Sequence, residues 1–155
     1  MSVPNADIKD LLACAKLSVL PEDYLAIRLP LDSKIIPGEW YRPATTRFAV
    51  FIREPTEISL IVTRRKWLRM QGIFDRYQVS APMKVIAFAC KLSMTAPGYM
   101  EAIGRVLAEA RISVVPISTL ASDHILVQKQ DLPRTVRLLR QFIQKTRDQV
   151  APGSR

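Results

Sequence analysis

The sequence predicts an α+β fold in which helices cover one face of a mostly antiparallel sheet, built from two βαββαβ units in tandem. Three observations lead there. Residues 47–52, "RFAVFI", and 57–63, "EISLIVT", are rich in aromatic and β-branched side chains and are separated by "REPT", the pattern of a β-hairpin. Residues 84–147 read in order as strand, helix, strand, strand, helix. A chain of 155 residues, 48 % of them apolar, has the material for one domain or for two small ones sharing a core. The expected units are residues 17–82 and 83–147.

Each element has its own signal. In "IKDLLACAKL", residues 8–17, Ile8, Leu11, Leu12 and Ala15 recur at helical spacing, and Pro21 ends the pattern. "YLAIRL", 24–29, alternates as a strand, with Leu25, Ile27 and Leu29 on one face and Tyr24, Ala26 and Arg28 on the other. "LDSKIIPGEW" reads as a loop or brief helical turn. Pro55 fits the hairpin connection better than either strand, because it cannot donate to a ladder. Residues 66–82 predict a short helix followed by a strand around Tyr77–Val79.

The second half is more strongly patterned. "KVIAFACKL", 84–92, is a nearly continuous apolar run, expected to be a central strand buried on both faces. After the turn-rich "SMTAPG", a helix from Tyr99 places Ala102, Ile103, Val106, Leu107 and Ala110 on one side, and Glu101, Arg105 and Glu109 on the other. Gly104 is a poor helix former, and close packing of the helix on the sheet is the expected reason for it. Strands at 112–120 and 123–128 follow, joined at Ala121-Ser122. Pro116 should put the first of them at an edge or a bulge. A last helix, 131–147, has Asp131 as a cap and Pro133 in its first turn, with Val136, Leu138, Leu139, Phe142 and Ile143 on one face. No strand is visible after residue 146. Either the N-terminal segment supplies it or the sheet ends early.

Composition narrows the function classes. No window approaches the roughly 20 apolar residues of a membrane span, and the start, "MSVPNADIKD", carries no basic-then-apolar leader, so a cytoplasmic protein is expected. Cys14 and Cys90 lack a CxxC partner or histidine neighbours and read as small hydrophobes in a reducing compartment. One histidine and two distant cysteines offer no metal spacing, and no nucleophile elbow or phosphate loop is present. No catalytic residue, metal or cofactor is therefore expected. The net charge of +9 permits acidic partners, nucleic acid included. Its densest run is "RRKWLR", Arg64 to Arg69. A second basic row, Arg134, Arg137, Arg140 and Lys145, reads first as a solvated helix face, and could also touch phosphate.

Residues 98–132 carry a resemblance. "LAEARIS" (107–113), "PISTL" (116–120) and "SDHILV" (122–127), in that order and spacing, resemble the ACT domain, in particular the CASTOR group and its small bacterial and fungal relatives. "EISLIV" at 57–62, after "FIREPT", resembles the hairpin of a first ACT-like unit, so the likeness extends over most of residues 17–145. It implies a ferredoxin-like ACT fold and a regulatory protein that senses an amino acid, working as a homodimer or on a regulated protein partner. Carried over by motif, the ligand-binding residues would be Thr95, Gly98 and Tyr99 in the loop after the first strand. From the strand–strand turn they would be Thr119, Leu120, Ser122 and Asp123. Three departures stand out: Arg111 where glycine is usual, Leu120 where an aromatic is common, and Ala-Pro before Gly98. An arginine in a left-handed conformation would cost roughly 1–2 kcal/mol.

Asp123 has two readings. It can satisfy the turn's amides, or it can face the ammonium of an amino acid whose carboxylate meets the free amides of the helix starting near Gly98. Thr119 and Ser122 can contact that ligand or bond their own backbone. His124 should point away from Asp123 by strand alternation. Two other function classes remain: a basic nucleic-acid-associated module, and a scaffold protein with a decayed ligand site.

Overall fold

The computed structural model describes residues 8–34, 47–89 and 98–150. In chain order the elements are α1 (Ile8–Cys14), β1 (Lys16–Val19), β2 (Tyr24–Leu29), β3 (Val50–Arg53), β4 (Ile58–Thr63), α2 (Arg64–Met70), β5 (Gln78–Val79), β6 (Met83–Ala89), α3 (Tyr99–Glu109), β7 (Val114–Ser118), β8 (Asp123–Gln128) and α4 (Leu132–Val150). The chain forms two compact units. One is Pro21–Met83, and the other joins the segments before and after it.

In the 21–83 unit the strands lie in the order β3-β4-β2-β5, all antiparallel. Leu25, Ile27 and Leu29 of β2 and Ile58, Leu60 and Val62 of β4 turn to one face, as their alternation requires, and pack against Trp67 and Phe74. Helix α2 starts at Thr63, whose Oγ1 accepts the Lys66 amide at 3.3 Å.

The other unit has the order β1-β6-β8-β7. Its fourth strand therefore comes from the N-terminus: β1 pairs antiparallel with β6 from Lys16↔Ala89 to Val19↔Ile86. The helix expected over 8–17 is corrected accordingly. It ends at Cys14, and Lys16 and Leu17 are strand residues, because pairing with β6 satisfies backbone groups that a longer helix would leave at a sheet edge. Cys14 is exposed, not a buried small hydrophobe, and Cys90 lies outside the described residues. The core holds Phe88 of β6, Tyr99, Ile103 and Leu107 of α3, Ile125 and Val127 of β8, and Leu139 and Ile143 of α4. Two buried threonines of α4, missed in the apolar pattern, are satisfied by carbonyls one turn back: Thr135 Oγ1 donates to Asp131 at 2.8 Å, and Thr146 Oγ1 to Phe142 at 2.9 Å. β7 ends the strand order and carries Pro116, as its missing donor requires.

Two further residues of α3 depart from expectation. A Cβ built on Gly104 meets nothing within 4 Å among the described residues, so close packing does not explain this glycine. Arg111 sits at φ 57° and closes α3 in a Schellman motif: its amide donates to Ala108 and that of Ile112 to Leu107, both at 2.9 Å. The arginine holds a left-handed position that glycine fills more easily. Arg111→Gly and Gly104→Ala are each expected to stabilise the protein by about 1 kcal/mol, measured as paired rises in urea midpoint at constant m value. A drop for Arg111→Gly would show that its side chain holds the turn.

Candidate functional site

The hairpin between β7 and β8 closes at Ser118↔Asp123. Thr119 organises its turn: its amide donates to the Ser122 carbonyl at 3.0 Å, and its Oγ1 donates to the same carbonyl at 2.9 Å. The same Oγ1 accepts the amides of Ala121 at 3.3 Å and Ser122 at 3.1 Å. This corrects the reading in which Asp123 serves the turn, because the bonds assigned to the carboxylate are made by the Thr119 hydroxyl. Leu120 stands at the tip, 80 % exposed.

Asp123 points elsewhere. It opens β8 and shares a face with Ile125 and Val127, which belong to the core beneath the helices. It is only 9 % exposed. Its counterpart in the 21–83 unit is informative. β4, "ISLIVT", and β8, "DHILVQ", follow hairpins and share one burial pattern over their first five residues. The inward position that Asp123 takes in β8 is held in β4 by Ile58, 1 % exposed. An aliphatic side chain suffices there for folding. A carboxylate at the same point is costly to bury unless something pairs with it.

Gly98 and Tyr99 stand at the start of α3, and Thr95 lies outside the described residues. Gly98 adopts φ 86°, and a Cβ on it would come within 2.7 Å of Ile8 Cδ1, so the close approach that this glycine permits is used by α1. The Gly98 carbonyl accepts the Ala102 amide at 2.9 Å, while the first-turn amides have no partner within the helix itself. The Tyr99 ring is buried and packs edge-on against Phe88, with centroids 6.3 Å apart. Of the seven motif residues, four thus share one hairpin and two share one helix terminus. Asp123 is the one whose carboxyl group belongs to a buried residue.

The remaining candidates resolve simply. His124 lies on the opposite face of β8 from Asp123. Burial pushes its imidazole below the ordinary range, against the opposing pull of a backbone hydrogen bond at Ile117 and the charge of Asp123. Among the described residues no three metal-ligating side chains converge. Trp67, the aromatic within the Arg64–Arg69 run, is buried in the core and cannot stack on a base. Among the described residues, two open cavities lie away from the motif residues. One, of about 790 Å³, runs along β1 and α4. The other, of about 380 Å³, is flanked by Arg28 and Arg76, which are paired with Glu57 and Asp32. No helix among the described residues is long and apolar enough to cross a membrane.

Residues 78–141, spanning β5 to the first half of α4, match the family model of the ACT domain. Among solved structures the chain is similar to a Vibrio cholerae protein of unknown function described as a possible transport protein. The two are 24 % identical over 88 % of this chain and 95 % of that one, with a TM-score of 0.66. An Agrobacterium tumefaciens protein is 23 % identical over 82 % and 87 % of the two chains, TM-score 0.64. The regulatory subunit of aspartate kinase from Thermus flavus is 7 % identical over 81 % and 95 %, TM-score 0.61. At such identities these likenesses establish the fold, which is the ferredoxin-like ACT fold. No curated protein sequence matches the chain.

Proposed function

We propose that this ACT-fold chain is a non-catalytic regulatory protein that binds a free amino acid at the β7–β8 hairpin end of its ACT unit. One observation carries the reading: a carboxylate, Asp123, occupies the inward position that the 21–83 unit fills with Ile58. The ammonium group of an amino acid is the partner that would offset its burial. In a βαββαβ unit the loop after the first strand and the central hairpin leave the sheet at one end. The N-terminal turn of α3, the positive end of its dipole, would then meet the ligand's carboxylate. Thr119 and Ser122 frame the turn, Leu120 supplies apolar surface at its tip, Gly98 precedes α3 with Tyr99 anchoring the helix start, and Thr95 is included on the motif alone.

Regulation follows by linkage. A ligand that binds one association state better than another shifts the protein toward it, with no chemistry at the site. The assembly is read as a homodimer or as a complex with the regulated protein, and the motifs at 107–127 favour a CASTOR-like affiliation within the ACT proteins.

A thermal-shift screen of the free amino acids tests this. A ligand at about 100 times its Kd stabilises by about 2.7 kcal/mol, a rise of several degrees. Asp123→Ala is expected to abolish the response. Asp123→Ile, which installs the residue of β4, is expected to raise the unliganded Tm while also abolishing the response. A response kept in both variants overturns the assignment.

A further inference from the structure

We infer that the basic face of α4, with the cleft it forms against β1, is a contact surface for the phosphate backbone of double-stranded nucleic acid. The inference uses none of the residues of the amino-acid site. Four cations line the cleft, Lys16, Arg140, Lys145 and Arg147, against one carboxylate, Asp148. That carboxylate accepts from Gln144 Nε2 at 2.8 Å along the same helix.

Two features separate this surface from an ordinary solvated helix. The Arg147 guanidinium is fixed in place: Nε donates to the Ala13 carbonyl at 2.7 Å and Nη2 to the Ala15 carbonyl at 3.0 Å. Its remaining N–H groups are thereby pre-oriented, which lowers the ordering cost of meeting an anion. The cationic row also continues past the cleft, because Arg134 and Arg137 are exposed on the same helix face at three-residue spacing from Arg140. From Arg134 to Lys145 the helix axis advances about 16 Å. A small anion would fill only the cleft, whereas a duplex, with a charge every ~1.7 Å of axis, engages the whole row.

The chemistry of the face selects among polyanions. No aromatic side chain lines the cleft, so the stacking platform that holds single strands is missing there. No large exposed apolar side chain of the described residues lies on α4, so an interfacial membrane helix is disfavoured. Arginine, three times in the row, matches the two oxygens of a phosphate with its planar fork. Cations spaced along one helix contact the backbone, and such contacts carry no sequence information directly.

Fluorescence anisotropy of a labelled duplex of about 20 base pairs, titrated with the full chain between about 50 and 200 mM salt, tests the proposal. About four neutralised phosphates give a log–log slope near −3.6, a loss of roughly 150-fold in affinity over that range. The variant combining Arg134→Gln, Arg137→Gln, Arg140→Gln and Lys145→Gln is expected to remove most of the slope, leaving the share of Lys16 and Arg147. Arg134→Gln with Arg140→Gln alone should halve it, which keeps the test valid if the fourfold variant fails to fold. Arg64→Gln with Arg65→Gln on α2 is expected to leave it unchanged. A slope that survives the α4 substitutions, or that falls with the α2 pair instead, overturns the proposal. So does binding to single strands, poly-glutamate or anionic vesicles as tight as binding to the duplex.

Discussion

Truncation of Trp67 to alanine is expected to lower the stability of the 21–83 unit by about 3–5 kcal/mol, the range for emptying a large aromatic site in a close-packed core. Trp67 is the buried side chain of α2 and packs, beside partly buried Met70, against the apolar face of β2 and β4. It stacks on Phe74 with centroids 5.7 Å apart and meets Tyr77 edge-on at 5.0 Å, so its loss strips two aromatic partners as well as β-sheet contacts. The check is amide exchange of β2 and β4 in the variant, which should lose protection together. A loss below about 1 kcal/mol would mean that the unit collapses around the gap.

Phe88→Ala should cost the ACT unit a similar ~3–5 kcal/mol, with a further consequence near the candidate site. Phe88 is fully buried on β6, and its ring is the edge-on partner of Tyr99, the first residue of α3. Removing it loosens the helix terminus whose amides the proposal assigns to the ligand's carboxylate. Urea denaturation should therefore report the lost stability, and amino-acid binding by the remaining folded protein should weaken. Trp67→Ala, measured where its protein is still folded, should leave binding by the ACT unit intact. Equal effects of both variants on binding would contradict this division.

The sequence was most legible where periodicity and burial coincide. β2 matches the expected strand, because "YLAIRL" alternates cleanly and all three residues of its core face are aliphatic. β4 and the helix α3 also fell within the expected segments, since apolar faces of period 2 and 3.6 leave few alternatives, while β3 begins at Val50 and takes in Arg53, a residue expected in the connection. β1 was not legible. "KLSV" is four residues long, directly follows a helix, and becomes a strand only because the edge of β6 is open to it.

The site was legible as a turn with a carboxylate, but its hydrogen bonding was not. Thr119 and Asp123 are both good turn residues, and only the direction of β8 turns one toward its backbone and the other toward the core. Arg111 shows the reverse case. Its departure from glycine is plain in the sequence, yet the strain follows from φ 57°, a backbone angle set by the Schellman closure of α3. The exchange of Ile58 for Asp123 was present in "ISLIV" and "DHILV" throughout, but it gains meaning once both residues prove to be buried.

The pairing of Asp123 with an ammonium group is tested most directly by calorimetric titration of the protein with a binding amino acid and with the matched acid lacking its α-amino group. Heat and saturation are expected for the amino acid, none for its deaminated analogue, and no difference between the two in the Asp123→Ala variant. Equal binding of both compounds to the unaltered protein would contradict it.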